Sequence, residues 1–246
     1  MLFRSAGRLL EGRIAIFTDG SPVVLTLPYL FVENFQSSED YYMGNLYASY
    51  SRVLRAISFF GTITVPALFI AIVAYHHNLL PTGLMLTFSA ARQNVPLPAA
   101  LECFLLLLLF DILREAGVRS PGYVGQAVGF VGGIIIGQAA VEAHLIAAPM
   151  VIVVAFAGIT IIIVPRVSTA SLVARYSFLL AASFMGMPGL FVAMAIFAVH
   201  VLNLQSFGVP ALMPAGKLSV QMVRDTFVRA PWPKLTRPRN KAGGAG

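Results

Sequence analysis

AISFFGTITVPALFIAIVAY, residues 56–75, is an apolar run that contains no charged side chain. A helix of about 20 predominantly apolar residues is long enough to cross the hydrocarbon core of a bilayer. Pro66 lies inside the run and predicts a kink, which a membrane helix tolerates because neighbouring helices can satisfy the freed carbonyl group. The run therefore predicts a membrane-spanning helix.

The rest of the chain has the composition of a membrane protein. Hydrophobic residues make up 58% of its 246 residues, charged residues only 11%, and the mean hydropathy is +0.81, which is far from the values of soluble domains. Four more apolar runs follow the first, at residues 95–117, 123–141, 145–164 and 176–204. We therefore predict a mainly α, polytopic membrane protein with about four to five hydrophobic helices and a membrane domain over residues 56–204.

Residues 1–55 differ in kind from the membrane domain. The segment RIAIFTDGSPVVLTLP surrounds Asp19-Gly20 with alternating and β-branched residues, which predicts a β-hairpin over residues 13–27. Ser37 and Asp40 form a variant of the capping box and predict the start of a juxtamembrane helix. An isolated hairpin is only marginally stable, so we interpret residues 1–55 as the remnant of a cytoplasmic N-terminal domain followed by this helix.

Residues 205–246 form a basic tail in which Asp225 is the single acid. Short cytoplasmic segments of membrane proteins collect Lys and Arg, so we predict that the tail is cytoplasmic. It contains several prolines, and Trp232 is the one aromatic residue near its basic end. These features argue against a nucleic-acid partner and favour contact with anionic lipid. If both ends of the chain are cytoplasmic, four full crossings leave one re-entrant or interfacial helix, from the run 95–117 or the run 176–204.

A stripe of glycines marks the run 123–141. It consists of Gly125, Gly129, Gly133 and Gly137. Residues four apart share one helix face, so the stripe predicts a groove that a neighbouring helix can approach closely. A pore wall is the second interpretation. A phosphate-binding loop is excluded, because GFVGG lacks the spacing of the dinucleotide fingerprint and the strand that precedes it.

A group of charged residues precedes the stripe. It consists of Glu102, Asp111, Arg114, Glu115 and Arg119. Asp111 and Arg114 are three residues apart and Glu115 and Arg119 are four apart, so both pairs can form on a helix. Charged groups inside a membrane face protein or water. The cluster is therefore either a gate or ion path, or a set of salt bridges at the cytoplasmic edge.

The remaining motifs indicate no catalysis. The histidines at positions 76, 77, 144 and 200 lack metal-ligand spacing, Cys103 is the single cysteine, and no nucleophile or phosphate motif occurs. We predict no enzyme activity, no cofactor and no metal. Gly186, Pro188 and Gly189 interrupt the run 176–204 and predict a break in its helix.

Several blocks of this sequence occur in an order that resembles the A subunits of spore germinant receptors, the GerA family. They are EGRIAIFTDGSP, SSEDYY, HNLLP, VPLP followed by Glu102, LREAGVRSPGYVGQAVGFVGGIIIGQAAVEA, SFGVP at residues 206–210, and DTFVRAP followed by RP. The similarity covers nearly the whole chain, and the long block is its most specific part. The chain is similar to the membrane half of such a subunit, without most of the large N-terminal cytoplasmic domain.

The resemblance implies a non-enzymatic subunit in the inner membrane of an endospore. Its implied partners are a transporter-like B subunit and a lipoprotein C subunit. Family A subunits are thought to oligomerise into a nutrient-gated channel whose opening releases monovalent cations and starts germination.

Two classes of function follow from these observations. The preferred one is a receptor subunit that forms or gates an ion pathway, and the alternative is a secondary transporter or an accessory scaffold without its own pore. A transporter is expected to contain internal repeats and paired broken helices, whereas this sequence has one clear break, at residues 186–189. A germination-associated relative that does not itself respond to nutrients is a third interpretation.

Overall fold

The structure is a computed structural model that describes residues 9, 14–20, 24–37, 39–41, 43–119 and 123–212. At residue 41 and over residues 123–131 it describes only the backbone. The chain forms two compact units, one of Met1–Ala56 with His200–Gly246 and the other of Ile57–Val199. Most of the predicted tail, from residue 213 onward, lies outside the described residues.

The described chain is mainly helical, as predicted. Its helices are α1 (Asn45–Tyr75), α2 (Thr82–Arg92), α3 (Ala99–Arg119), α4 (Tyr123–Glu142), α5 (Ala148–Ile163) and α6 (Ser168–Asn203). Short 3-10 helices occupy Phe31–Phe35, Glu39–Tyr41, His77–Leu79 and Pro165–Val167. The strands are β1 (Ile14–Phe17), β2 (Val24–Leu27), β3 (Gln205–Ser206) and β4 (Val209–Pro210).

The predicted N-terminal hairpin is confirmed. β1 and β2 pair antiparallel, with Ile14 opposite Leu27 and Phe17 opposite Val24. The N–H of Gly20 donates a hydrogen bond of 3.0 Å to Oδ1 of Asp19, and Gly20 has a φ of 75°. The turn therefore uses the glycine because its left-handed backbone carries no Cβ penalty there.

A second pair of strands, which the sequence analysis assigned to the basic tail, follows α6. β3 and β4 pair antiparallel, and this segment is tied to residues that follow the first hairpin. The N–H of Tyr29 donates to Oγ of Ser206 at 3.1 Å, and the N–H of Phe31 donates to the carbonyl of Ala211 at 2.8 Å. The two ends of the described chain therefore contribute to one unit.

The juxtamembrane helix and the first predicted span are one continuous helix. The predicted start at Ser37 is wrong, because residues 39–41 form a 3-10 turn and α1 begins at Asn45. Half of the capping box nevertheless forms, since the N–H of Ser37 donates to Oδ2 of Asp40 at 3.0 Å. α1 passes through Pro66 without ending. The following helix, α2, was missed because it is short and weakly apolar.

α6 is two helices joined by a sharp turn. Gly186 has φ 65° and ψ −139°, which are not helical values. The rings of Phe178 and Phe197 lie 5.8 Å apart between centroids, whereas on a straight helix residues at this separation would be about 28 Å apart. α6 therefore folds back on itself, and we call residues 168–185 its first arm and residues 187–203 its second arm.

The helices of the 57–199 unit pack around a common apolar core. Buried side chains from α1, α3, α5 and α6 meet there, among them Ile70, Leu107, Met150, Ala157 and Leu179. α1 and α5 are also joined by a hydrogen bond of 2.8 Å between the hydroxyls of Thr62 and Thr160. The core positions the charged side chains that α3 and α6 carry.

Two of the described segments, Asn45–Tyr75 and Pro165–Asn203, are long and apolar enough to cross a membrane, and α5 is a shorter apolar helix. The larger number of four to five spans stays a prediction. The second candidate contains the turn at Gly186, so its two arms count separately in any assignment of crossings.

Candidate functional site

A buried ion pair joins α3 to the first arm of α6. Nη2 of Arg175 lies 2.5 Å from Oδ2 of Asp111, and the hydroxyl of Tyr176 donates a hydrogen bond of 2.7 Å to the same oxygen. The Arg175 side chain is 0% exposed and the Asp111 side chain 11% exposed. The two opposite charges therefore compensate each other away from the surface of the chain.

Three polar atoms of this pair have no hydrogen-bond partner within the described part of the chain. They are Oδ1 of Asp111 and Nε and Nη1 of Arg175. A buried ion pair contributes little net stability because desolvation offsets the Coulomb attraction, and removal of one partner strands the other charge. In a helical bundle, such a pair can lock two helices together or supply polar groups to an aqueous path.

Glu102 forms a second buried site in the first turn of α3. Its side chain is 0% exposed, and its Oε1 accepts a hydrogen bond of 2.6 Å from the N–H of Ala147, immediately before α5. A carboxylate at this position complements the unpaired N–H groups and the dipole of a helix start. Nη1 of Arg92 lies 3.5 Å from the other oxygen, Oε2. Glu102 therefore fixes the start of α5 and contacts the end of α2.

The acids and arginines that the sequence groups together do not form one cluster. Arg119 and Glu115 form the predicted pair at 2.8 Å, with side chains 79% and 57% exposed. The predicted pair of Asp111 with Arg114 does not form, because Asp111 binds Arg175 instead. Two acids of the group are thus buried in separate places, while the third lies at the surface.

Sequence reasoning missed the cationic partners of both buried acids. Arg175 lies just before the predicted apolar run 176–204, but α6 already includes it. The signal that could have found it is a single arginine followed directly by the apolar run 176–204, since a charge at the edge of such a run needs a partner. Arg92 gave no comparable signal because it ends the short helix α2.

The predicted break lies at a close contact with α1. The hydroxyl of Tyr75 donates a hydrogen bond of 2.5 Å to the carbonyl of Ser183. A Cβ added at Gly186 would lie 2.9 Å from Cβ and Cγ of Tyr75, and one added at Gly189 would overlap the carbonyl oxygen of Ala181. Pro188 lies within the helix that follows. Both glycines therefore allow the fold-back of α6.

The glycine stripe is less tightly packed than its spacing suggests. A Cβ added at Gly133 would lie 3.8 Å from Leu113, and one added at Gly137 would lie 3.6 Å from Val151, which are ordinary van der Waals distances. The surroundings of Gly125 and Gly129 lie outside what the structure describes. Within this chain, Gly133 and Gly137 pack against α3 and α5 with room for a methyl group.

A third ionic group lies in the N-terminal unit, just before and within the start of α1. Asp40 accepts hydrogen bonds from Arg55 at 2.9 and 3.0 Å and from Arg52 at 3.3 Å. Burial alone would raise the pKa of the Asp40 carboxyl, but the hydrogen bonds from Arg55, the Ser37 N–H and Arg52 and the Arg55 charge outweigh it and hold the pKa below its usual value. The group anchors α1 to the preceding 3-10 turn.

Among the described residues, no group of three or more His, Cys, Asp or Glu side chains is arranged to hold a metal ion. The two buried carboxylates of α3 each lie against an arginine. The arrangement can hold helices in register.

Residues 4–240 match the family model described as Bacillus/Clostridium GerA spore germination protein. Over 92% of this chain and 42% of the relative, the sequence is 43% identical to spore germination protein KA of Bacillus subtilis. It is 39% identical to spore germination protein A1 of the same organism, over 91% of this chain and 47% of that protein.

A further relative is the uncharacterized membrane protein YfkQ of Bacillus subtilis, with 42% identity over 94% of this chain and 46% of the relative. The chain spans about half the length of the curated relatives it matches. No solved structure matches it significantly. The resemblance that the sequence blocks indicated is confirmed by these comparisons.

Proposed function

Because the chain belongs to the Bacillus/Clostridium GerA spore germination family, we propose that it is a membrane subunit of a nutrient germinant receptor. In this proposal the subunit oligomerises to form or gate an ion pathway that triggers germination. The observation that carries the proposal is the family match over residues 4–240, together with relatives whose names are spore germination proteins.

The exposed surface of the 57–199 unit supports a multi-pass membrane protein. In the most apolar 18-residue stretch of Pro165–Asn203, only 22% of the residues are buried inside the chain. Large side chains such as Ile152, Phe184 and Ile196 are 72%, 78% and 65% exposed. A soluble monomer rarely exposes large apolar patches, whereas these helices expose many large apolar side chains. Lipid or other subunits are the environment in which this surface is stable.

Contacts between the helices support a topology with both ends on one side. Tyr75, the last residue of α1, contacts Ser183 just before the turn of α6, while Phe59 near the other end of the unit contacts Phe197 of the second arm. The chain thus enters and leaves this unit at the same end. In the proposed topology, the two arms of α6 cross the membrane in opposite directions. The chain as a whole then makes an even number of crossings.

Charge distribution favours a cytoplasmic location for that end. Arg114, Arg119 and Arg166 lie near the ends of α3 and α5 that face away from the Glu102–Ala147 contact. Cytoplasmic segments are enriched in arginine and lysine. The basic residues after position 205 carry the same sign. We therefore assign the β1–β2 hairpin and the tail to the cytoplasm, and the turn at Gly186 to the opposite side of the membrane.

The Asp111–Arg175 pair is the part of the bundle that best suits a gate. Its charges are buried, its remaining polar atoms lack hydrogen-bond partners within the described chain, and it joins α3 to the first arm of α6. A rearrangement that separates the two helices would expose these groups to water. The proposal assigns them to the closed state of the pathway.

The proposed partners and location follow from the family. They are a transporter-like B subunit, a lipoprotein C subunit and further copies of the same subunit, in the inner membrane of the endospore. We propose a subunit without enzyme activity or cofactor.

Release of potassium and sodium from spores tests the proposed role. In spores whose sole A subunit is the full-length protein, nutrients should trigger release, and spores that lack the protein should retain their cations. Asp111→Asn should change nutrient-triggered release at unchanged membrane levels, whereas Glu115→Gln, which removes an exposed acid of the same helix, should not. Normal release with Asp111→Asn would exclude the pair from the gate.

Because Asp111→Asn strands a buried arginine and can prevent folding, Tyr176→Phe serves as a second variant. It removes only the hydroxyl that donates to Asp111 and keeps both charges. A changed nutrient threshold for cation release supports the gate, and an unchanged threshold with both variants contradicts it. The size of the purified, solubilised protein tests oligomerisation, since a strict monomer is incompatible with a ring.

Cysteine labelling tests the topology, because the one native cysteine, Cys103, is buried. In sealed, right-side-out vesicles, an impermeant thiol reagent should label Asn78→Cys and should leave Gly20→Cys and Asn240→Cys unlabelled. Labelling of only one of the two terminal positions would contradict the fold-back topology.

A further inference from the structure

A groove of about 380 Å³ lies where α1 ends and α2 packs against it. This volume is within the range of small-molecule sites, about 300–1,000 Å³. One wall is apolar and includes Met85 and Phe88, and Phe88 is held against α1 by an edge-on contact with Phe69, 5.7 Å between ring centroids. We call it the Arg92 groove, after the charged side chain that lines it.

The other lining side chains are polar, and most are donors. They are His77, Ser89, Arg92 and Gln93. Among the described residues, no carboxylate belongs to the lining of the groove, and Oε2 of Glu102 lies 3.5 Å from Nη1 of Arg92. A hydroxyl, an amide and a guanidinium beside an apolar wall match an oxyanion attached to an apolar group, because each can donate to the anion while the wall covers the rest.

Arg92 makes only long contacts with its polar partners among the described residues. Its Nη2 donates to the carbonyl of Leu97 at 3.4 Å, and its Nη1 approaches Oε2 of Glu102 at 3.5 Å without hydrogen-bond geometry. Nη1 has no hydrogen-bond partner within the described residues. The side chain is 22% exposed. The guanidinium is therefore held beside the groove by two long contacts, and part of the side chain stays exposed.

We propose that the Arg92 groove binds an amphiphilic oxyanion, a phosphate or carboxylate joined to an apolar group, with Arg92 as the anchor. This site is separate from the Asp111–Arg175 pair and from the family assignment. Two sources supply this chemistry: an anionic lipid headgroup, and a soluble anion. The groove adjoins the last turn of α1, so on the proposed topology it lies at the level of the lipid headgroups.

Binding is measured on the purified full chain in nanodiscs of zwitterionic lipid, by thermal unfolding and native mass spectrometry. One arm adds phosphatidylglycerol to the discs at constant total lipid, and the other adds inorganic phosphate or octanoate to the buffer. A ligand of the native state raises the unfolding temperature in proportion to its occupancy. Stabilisation in the lipid arm identifies a headgroup site, and stabilisation in the buffer arm identifies a solute site.

Arg92→Gln should weaken binding at least about tenfold, the value of one charge-assisted hydrogen bond. Arg119→Gln, which removes an exposed arginine outside the groove, should leave binding unchanged. Because Arg92→Gln also removes the partner of Glu102, two further variants separate the loss of ligand binding from the loss of this ion pair. Arg92→Gln with Glu102→Gln removes both charges together, and Ser89→Ala removes a groove donor without touching either.

Loss of binding in the double variant and a smaller loss in Ser89→Ala support the site. Two results overturn it. One is the absence of stabilisation in both arms, and the other is equal stabilisation of the wild type, Arg92→Gln and Arg119→Gln, which would indicate a general effect of negative charge. The cysteine-labelling test of the topology is independent of these binding measurements. If labelling contradicts the proposed topology, the measurements with inorganic phosphate or octanoate in the buffer still test the groove.

Discussion

The glycines of α4 and the glycines of α5 and α6 have opposite relations to their surroundings. In α4 they recur at every fourth position, yet Gly133 and Gly137 leave room for a methyl group. Gly158 of α5 and Gly186 of α6 stand outside any repeat, yet a Cβ at Gly158 would overlap the ring of Phe110 and one at Gly186 would crowd Tyr75. Spacing therefore identifies a shared helix face, whereas the distance to the neighbouring element decides whether glycine is needed.

The difference also bears on the proposed assembly. At Gly133 and Gly137 the stripe has spare space within one chain, so the reason for these two glycines can lie in contacts that a single copy does not make. Gly158 and Gly186, by contrast, are explained by close contacts inside the subunit. Substitutions at the two groups should therefore separate folding of the subunit from assembly.

Gly186→Ala should have the largest effect. A side chain at φ 65° and ψ −139° is strained by about 1–3 kcal/mol, and the overlap with Tyr75 adds to it because the crowded atoms lie near the Tyr75 backbone. We expect destabilisation of about 3 kcal/mol or more and a fall in unfolding temperature of roughly 6–12 °C, measured on the solubilised protein. An unchanged unfolding temperature would show that α6 does not fold back at this residue.

Gly158→Ala should be the next most harmful. The added methyl group overlaps the ring of Phe110, and over-packing of this kind costs about 1–3 kcal/mol. The clash involves the far end of a side chain, so Phe110→Leu should restore part of the loss. A double-mutant cycle measures this coupling. Additive losses in the two single variants would mean that the residues do not touch.

Gly133→Ala should stabilise the subunit. Its methyl group meets Leu113 at 3.8 Å, and alanine exceeds glycine in helix propensity by about 0.8–1.0 kcal/mol. The unfolding temperature of the solubilised subunit should rise by roughly 2–4 °C. The larger Gly133→Leu should impair assembly or cation release if the stripe packs against another helix. Normal assembly and release with leucine would refute a close-packed stripe.

Gly61→Ala should have the smallest effect. The new Cβ would lie 3.1 Å from Cε1 of Phe156, so the ring must shift by a few tenths of an ångström, and the gain in helix propensity offsets this cost. We expect a change below about 1 kcal/mol in the free energy of unfolding. If Gly61→Ala lowers the stability as much as Gly158→Ala does, the Phe156 ring cannot shift to make room for the methyl group.

Much of the fold could be predicted from local patterns. Asp19-Gly20 between apolar strands indicated the hairpin, and apolar runs indicated α3, α4 and α5 within a few residues of their bounds and α1 at its end but not at its start. The failures also have local causes. Asp40 accepts bonds from Ser37, Arg52 and Arg55, which stabilises a 3-10 turn and delays α1 to Asn45.

Less of the candidate site could be predicted. Glu102 and Asp111 were selected as unusual acids in an apolar run, but their partners come from other helices. Arg175 is 64 residues from Asp111 along the chain, and Ala147 is 45 residues from Glu102. Helical spacing predicts only neighbours three or four residues apart, so it found the surface pair of Glu115 with Arg119 and proposed Arg114 for an acid that binds elsewhere.

The sequence by itself determined the membrane-protein class, the family, the apolar helices and the glycine that allows α6 to turn, because composition, blocks of residues and backbone preferences are properties of short segments. Only the tertiary structure decided that the second arm of α6 returns along the bundle, which arginine meets each buried acid, and which glycines are crowded. Those outcomes depend on the distance between elements far apart in the chain. Side-chain packing sets that distance, and no period in the sequence encodes it.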